Sequence, residues 1–199
     1  MTQTAPSAVR PAVVTPELYL SVQQFYARHM QAVDDDNAEV WADDYTEDAE
    51  FDTDALPAPL FGRGTILARL AKAGAALAEQ GVTRRHLMSM LTVHPESPDS
   101  AEGDVGADAG DGADGGEPVV RQVRTRSSFL VLHSSPGTPT TVFRSGIWED
   151  TLVRSEGGPW RMRRRRVVGD GAAHGAERGV AYGSAAVGPA QGSAQGPAR

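Results

Sequence analysis

The chain has 199 residues, 40% of them apolar and none of them cysteine, with a formal net charge of −7. That length holds one ordinary domain with loose ends, and the lack of cysteine excludes disulfides, thiolate nucleophiles and thiolate-bound metals. Eight acidic residues lie between Glu96 and Glu117 with no basic one among them; setting them aside raises the net charge to +1, so charge gives no reason to expect nucleic acid or an anionic membrane as a partner.

Met1–Pro16 contains Ala, Thr and Pro but no apolar signal core, and is expected to be an unstructured leader. No apolar run of about 18 residues occurs anywhere, so no membrane span is expected and the sequence reads as a soluble cytoplasmic protein. From Pro16 to Asp35, Leu18, Val22, Phe25, Tyr26, His29 and Val33 recur at three- and four-residue steps, which predicts an amphipathic helix capped by Thr15. A short helix over Ala38–Tyr45 and a short strand over Ala49–Thr53 follow. Gly62–Gly64 then opens a third helix over Thr65–Gln80, stopped by Gly81.

Beyond Gly81 the period changes to two, and four long strands are expected over Val82–His94, Val119–Ser134, Thr140–Arg154 and Trp160–Val168. The Gly/Asp-rich stretch between the first two, residues 96–118, reads as an acidic loop insertion, and Gly169–Arg199 as a flexible tail. Helices followed by an antiparallel meander make an α+β plan, with three N-terminal helices on a strongly curved sheet shaped like a cone. On the first long strand, alternation puts His86, Met88 and Met90 on one face and Leu87, Leu91 and Val93 on the other. Apolar residues on both faces imply that both are covered, the inner one by helices and a pocket, the outer one by a second copy in a homodimer.

Four segments in order carry a family resemblance: Phe25–Phe51 with its Tyr45-x-x-Asp48-x-x-Phe51 ending, Phe61-Gly62-Arg63-Gly64, Thr83-Arg84-Arg85-His86, and Trp160-Arg161-Met162-Arg163. Together they resemble the SnoaL-like branch of the nuclear transport factor 2-like superfamily over Glu17–Val168. Within it the chain looks most like small proteins of actinomycete aromatic polyketide pathways. The resemblance implies a small aromatic polyketide ligand held in an apolar cone.

His86 and Asp34 are the candidate catalytic residues. A histidine in an apolar pocket titrates near neutrality and moves a proton either way. The resemblance to the fungal scytalone dehydratase branch places an aspartate, here Asp34, beside it at the end of the first helix. Where that branch carries tyrosines, Val33 and Thr53 stand here. A late-strand acid, as the polyketide cyclase branch uses, would be Glu149 or Asp150. Tyr26, His29, Tyr45, Met88, Met90 and Trp148 are candidate substrate contacts, the aromatic ones by stacking on a flat ligand.

The run Arg161–Arg166 without its Met162 would suit a nucleic acid in isolation, but strand alternation splits it, placing Arg161, Arg163 and Arg165 on one side and Arg164 and Arg166 with Met162 on the other. No nucleic-acid partner is expected. The five histidines form no spaced metal set, and the Asp/Gly run lacks the ligand pattern of a calcium loop, so neither metal nor cofactor is expected. Two functions follow. A cofactor-independent enzyme would cyclise, dehydrate or isomerise a polyphenol through His86 and Asp34. A non-catalytic protein would bind the polyphenol or support a partner oxygenase, and the missing tyrosines favour it. A small subunit of a ring-hydroxylating oxygenase is the third alternative.

Overall fold

The computed structural model of the chain describes residues 13–96 and 120–171. The expected leader, acidic insertion and tail lie, apart from their edges, outside the described residues. Helix α1 spans Pro16–Asp34: the Thr15 hydroxyl accepts the Leu18 N–H at 3.2 Å, and Leu18, Val22, Phe25, Tyr26, His29 and Val33 are buried along one stripe. Asp35 and Asp36, the latter at φ 56°, turn the chain into α2, Ala38–Asp43, which Asn37 caps through the Val40 N–H. Strand β1 runs Tyr45–Thr53, four residues longer at its start than the sequence suggested, and β2 is the pair Leu60–Phe61. Helix α3 spans Arg63–Glu79, and of its side chains Ile66 is the buried one.

The long strands are β3, Thr83–Glu96; β4, Gln122–Ser134; β5, Thr141–Val153; and β6, Arg161–Gly169. They form one sheet in the order β2-β1-β6-β5-β4-β3. All pairings are antiparallel except β1 with β6, which is parallel and joins the two ends of the domain. The curved sheet packs against the helices in the expected α+β arrangement and does not close into a barrel.

Bulges bend the strands and overturn two readings of which residues share a face. On β3 the register slips between Ser89 and Thr92, with Met90 at φ 54°. The extra residue reverses the alternation, so Leu91 and Val93 join His86 and Met88 on the inner face, while Met90 is 82% exposed. On β6, Thr151 pairs with Arg164 but Leu152 pairs with Met162, which leaves Arg163 as the extra residue. Arg165 therefore lies inside with Met162 and Val167, not outside with Arg161 and Arg163. Gly146 marks the tightest crossing in the sheet: a Cβ there would sit 2.1 Å from the Val168 carbonyl oxygen and 2.9 Å from Phe129.

The outer face divides in two. One part is a charged lattice in which Glu149 pairs with Arg166 at 3.3 Å and Arg126 at 4.0 Å, and Arg164 pairs with Glu50 at 3.3 Å. The other part is apolar, built from Leu87 and its cross-strand partner Leu130, with Ile147 and its partner Val168 beside them.

Candidate functional site

Asp34 is the last residue of α1, where the helix dipole disfavours a carboxylate. The start of β3 compensates. The His86 backbone N–H donates to both Asp34 oxygens, at 2.9 and 3.2 Å, and the His86 ring Nδ1 stands 2.6 Å from Oδ1. A carboxylate at Nδ1 assigns the ring proton to that nitrogen and leaves Nε2 with its lone pair. Both side chains are largely buried, at 14% and 10% exposure. Burial lowers the His86 pKa below the ordinary imidazole value; Asp34 opposes this and nearby Arg84 adds to it. The imidazole is therefore neutral at pH 7 and able to accept a proton.

His86 lines a cavity of about 100 Å³ bounded by all three helices, β1 and the strands β3 to β6. Trp41, Phe51, Phe129 and Trp148 give it aromatic walls, and Thr53, Arg84, Arg144 and Arg165 join His86 as its polar groups. Trp148 stacks on Phe129 with centroids 4.8 Å apart and stands 6.3 Å from the His86 ring. A second cavity of about 80 Å³, under α3, shares Trp41, Phe51, Thr53, Leu70 and Arg84 with the first.

Beneath the first cavity lies a buried polar network. Arg165 donates twice to Asp150, at 3.0 and 2.8 Å, and the Tyr26 hydroxyl donates to the same carboxylate at 2.7 Å while meeting the Thr125 hydroxyl at 2.5 Å. His29 Nδ1 faces Asp44 at 3.1 Å, and its Nε2 faces the Arg165 guanidinium at 3.4 Å. A donor at Nε2 requires the lone pair there, so His29 is a neutral Nδ1–H tautomer. Burial pushes its pKa down to about 4 against the pull of Asp44. Burial raises the Tyr26 hydroxyl, with Asp150 adding to it, and burial likewise raises Tyr45. Burial opposes the Arg165 charge, yet the Asp150 carboxylate holds its pKa above the ordinary arginine value.

The structure thus brings His86 and Trp148 to one cavity, together with Val33 and Thr53, and sets Asp34 against the His86 ring outside the lining. Tyr26, His29 and Tyr45, expected as substrate contacts, are fully buried beneath it and outside its lining. Met88 packs against the core, and Met90 faces solvent because of the bulge. Of the two late-strand acids, Asp150 points inward and Glu149 outward. The sequence does not mark Arg165, Arg84, Arg144 or Phe129 as contacts. Strict alternation hid Arg165; the signal available for it was the facing acid, Asp150. Among the described residues no group of three His, Asp or Glu is placed to hold a metal, and no helix is long and apolar enough to cross a membrane.

The SnoaL-like domain family matches residues 15–166. Among solved structures, ActVI-ORFA from Streptomyces coelicolor is similar at 23% identity, covering 79% of this chain and 98% of that one with a TM-score of 0.62. Aln2 from a Streptomyces species is 29% identical over 79% of this chain and 94% of its own, with a TM-score of 0.60. A protein from Catenulispora acidiphila, solved in complex with S-DNPA, is 28% identical over 78% and 96%, with a TM-score of 0.59. No curated protein matches the chain by sequence. With its helices on a curved sheet and the match running through almost all of the described residues, the chain belongs to the SnoaL-like domain family, within the nuclear transport factor 2-like fold.

Proposed function

We propose that this protein is a cofactor-independent enzyme that moves a proton on an aromatic polyketide, in a cyclisation, dehydration or isomerisation. The observation that carries this reading is His86 on the wall of an aromatic cavity, its ring bonded to Asp34. Neutral His86 takes a proton at Nε2 from a carbon next to a carbonyl, and the electron pair moves to the carbonyl oxygen as an enolate. Asp34 holds the ring and stabilises the imidazolium. The same Nε2–H returns the proton at a different atom, which leaves the enzyme unchanged. The ligand-bound Catenulispora acidiphila structure, at 28% identity, supports a small molecule in this fold.

The test is incubation of the protein with late aromatic polyketide intermediates, following product by chromatography and exchange of the acidic carbon-bound proton in D₂O by NMR. His86→Ala and Asp34→Asn are expected to lower the rate by about 10²-fold or more. Unchanged turnover in both variants excludes the mechanism. A second reading, a non-catalytic polyphenol-binding or accessory protein, is favoured by Val33 and Thr53: both line the cavity, so no phenol stands there to polarise a carbonyl. Binding of intermediates without turnover or exchange selects that reading.

The proposal includes a homodimer through the outer sheet face, supported by the apolar patch of Leu87, Leu130, Ile147 and Val168. Sedimentation is expected to show a dimer that Leu130→Asp dissociates. A monomer mass at all concentrations rules it out.

A further inference from the structure

We infer that the cavity holds an acidic oxygen of its ligand, a carboxylate or a phenolate, against Arg84 and the indole N–H of Trp41. The arginines of the cavity are paired with carboxylates, with one exception. Arg165 is paired with Asp150 at 2.8 Å, and Arg144 with Asp54. Arg84 has no carboxylate at ion-pair distance among the described residues, and its Nε is buried without a partner. Trp41 is 4% exposed, and its Nε1–H is likewise buried and unpartnered. Both residues line the larger cavity and the adjoining one.

A buried N–H without an acceptor leaves its desolvation uncompensated, and a cation in an apolar enclosure does so more strongly. An acceptor on a ligand in the cavity would satisfy both donors. The other two buried polar atoms without partners, the hydroxyls of Tyr45 and Thr46, belong to neither cavity lining. The unmet demand inside the cavities is therefore for acceptors, and the Arg84 charge makes an anionic acceptor the fitting one. The aromatic walls add that the anion is carried on a flat ring system. Arg84 would then sort ligands by charge, while His86 does the proton chemistry.

The inference rests on the cavity being the ligand site of the proposed function, but it concerns affinity and not turnover. Calorimetric titration of the full chain with 2-naphthoate and 2-naphthamide tests the carboxylate arm; 2,4-dinitro-1-naphtholate and its methyl ether test the phenolate arm. In at least one arm the anion is expected to bind about tenfold or more tightly than its neutral partner. Arg84→Gln removes that preference, Arg84→Lys keeps most of it, and Trp41→Phe weakens the favoured anion several-fold. Equal affinity for anion and neutral partner in both arms overturns the inference, as does a preference that survives Arg84→Gln, or failure of every probe to bind at millimolar concentration. His86→Ala separates the two claims: retained anion preference supports the Arg84 assignment, and loss or retention of turnover judges only the chemistry.

Discussion

Asp150 is the anion around which the interior is arranged: it accepts two bonds from Arg165 and one from Tyr26, and is 4% exposed. Removing one partner of a buried pair leaves the other charge uncompensated, which costs far more than the pair contributes. Asp150→Ala is expected to destabilise the protein by about 3–5 kcal/mol in urea unfolding. Tyr26→Phe, which removes a single hydroxyl from the same carboxylate, is expected to cost about 1–3 kcal/mol. A loss for Asp150→Ala no larger than that for Tyr26→Phe would contradict this account. At this scale the sequence was partly readable. The Asp34–His86 pair spans 52 positions, so no local spacing reveals it; the family resemblance did. Helical periodicity placed Tyr26 and His29 on the buried face correctly, but a period cannot distinguish a side chain lining a cavity from one sealed beneath it.

Strand bulges decide which side chains reach the site. Met90 takes φ 54° with its side chain in water, a conformation that costs an L-residue about 1–2 kcal/mol and glycine almost nothing. Met90→Gly is therefore expected to be neutral or stabilising by up to about 1 kcal/mol in thermal unfolding, while Met88→Gly at the packed inner position is destabilising. The same measurement applies to Gly146→Ala, where a methyl group would meet the Val168 carbonyl; there the expected loss is about 2–3 kcal/mol. Loss of stability in Met90→Gly comparable to that of Gly146→Ala would refute the bulge assignment. The two long helices and all four long strands were legible, because each repeats its period over many residues. The start of β1 was not: Thr46, Glu47 and Asp48 look polar, and they fall in the break of register between the Tyr45–Met162 and Glu50–Arg164 pairs with β6. Nor can alternation announce a bulge, since one inserted residue changes nothing in composition while it reverses every later face.

Among the described residues the molecule holds the imidazoles of His29 and His86 neutral in its interior, and that gives its stability a direction with pH. His29 has a folded pKa of about 4 against an ordinary 6.5, so between those values the unfolded chain binds the proton and the folded one does not. The contribution is complete above pH 6.5, declines as pH falls, and is exhausted near pH 4, a loss of about 3 kcal/mol. His86, lowered in the same sense, adds to the decline. Urea midpoints measured from pH 7.5 down to pH 4 are expected to fall over this window, and His29→Gln is expected to flatten the slope; an unchanged slope would disprove the assignment. The parallel seam between β1 and β6 also ties the first strand of the domain to its last. Arg165 sits on the last strand, and its counter-ion Asp150 on the one before. During synthesis, the three helices and β1 to β5 all precede the cation that neutralises Asp150. The nascent chain therefore cannot pair Asp150 with Arg165, or join β1 to the rest of the sheet, until its final described strand has left the ribosome.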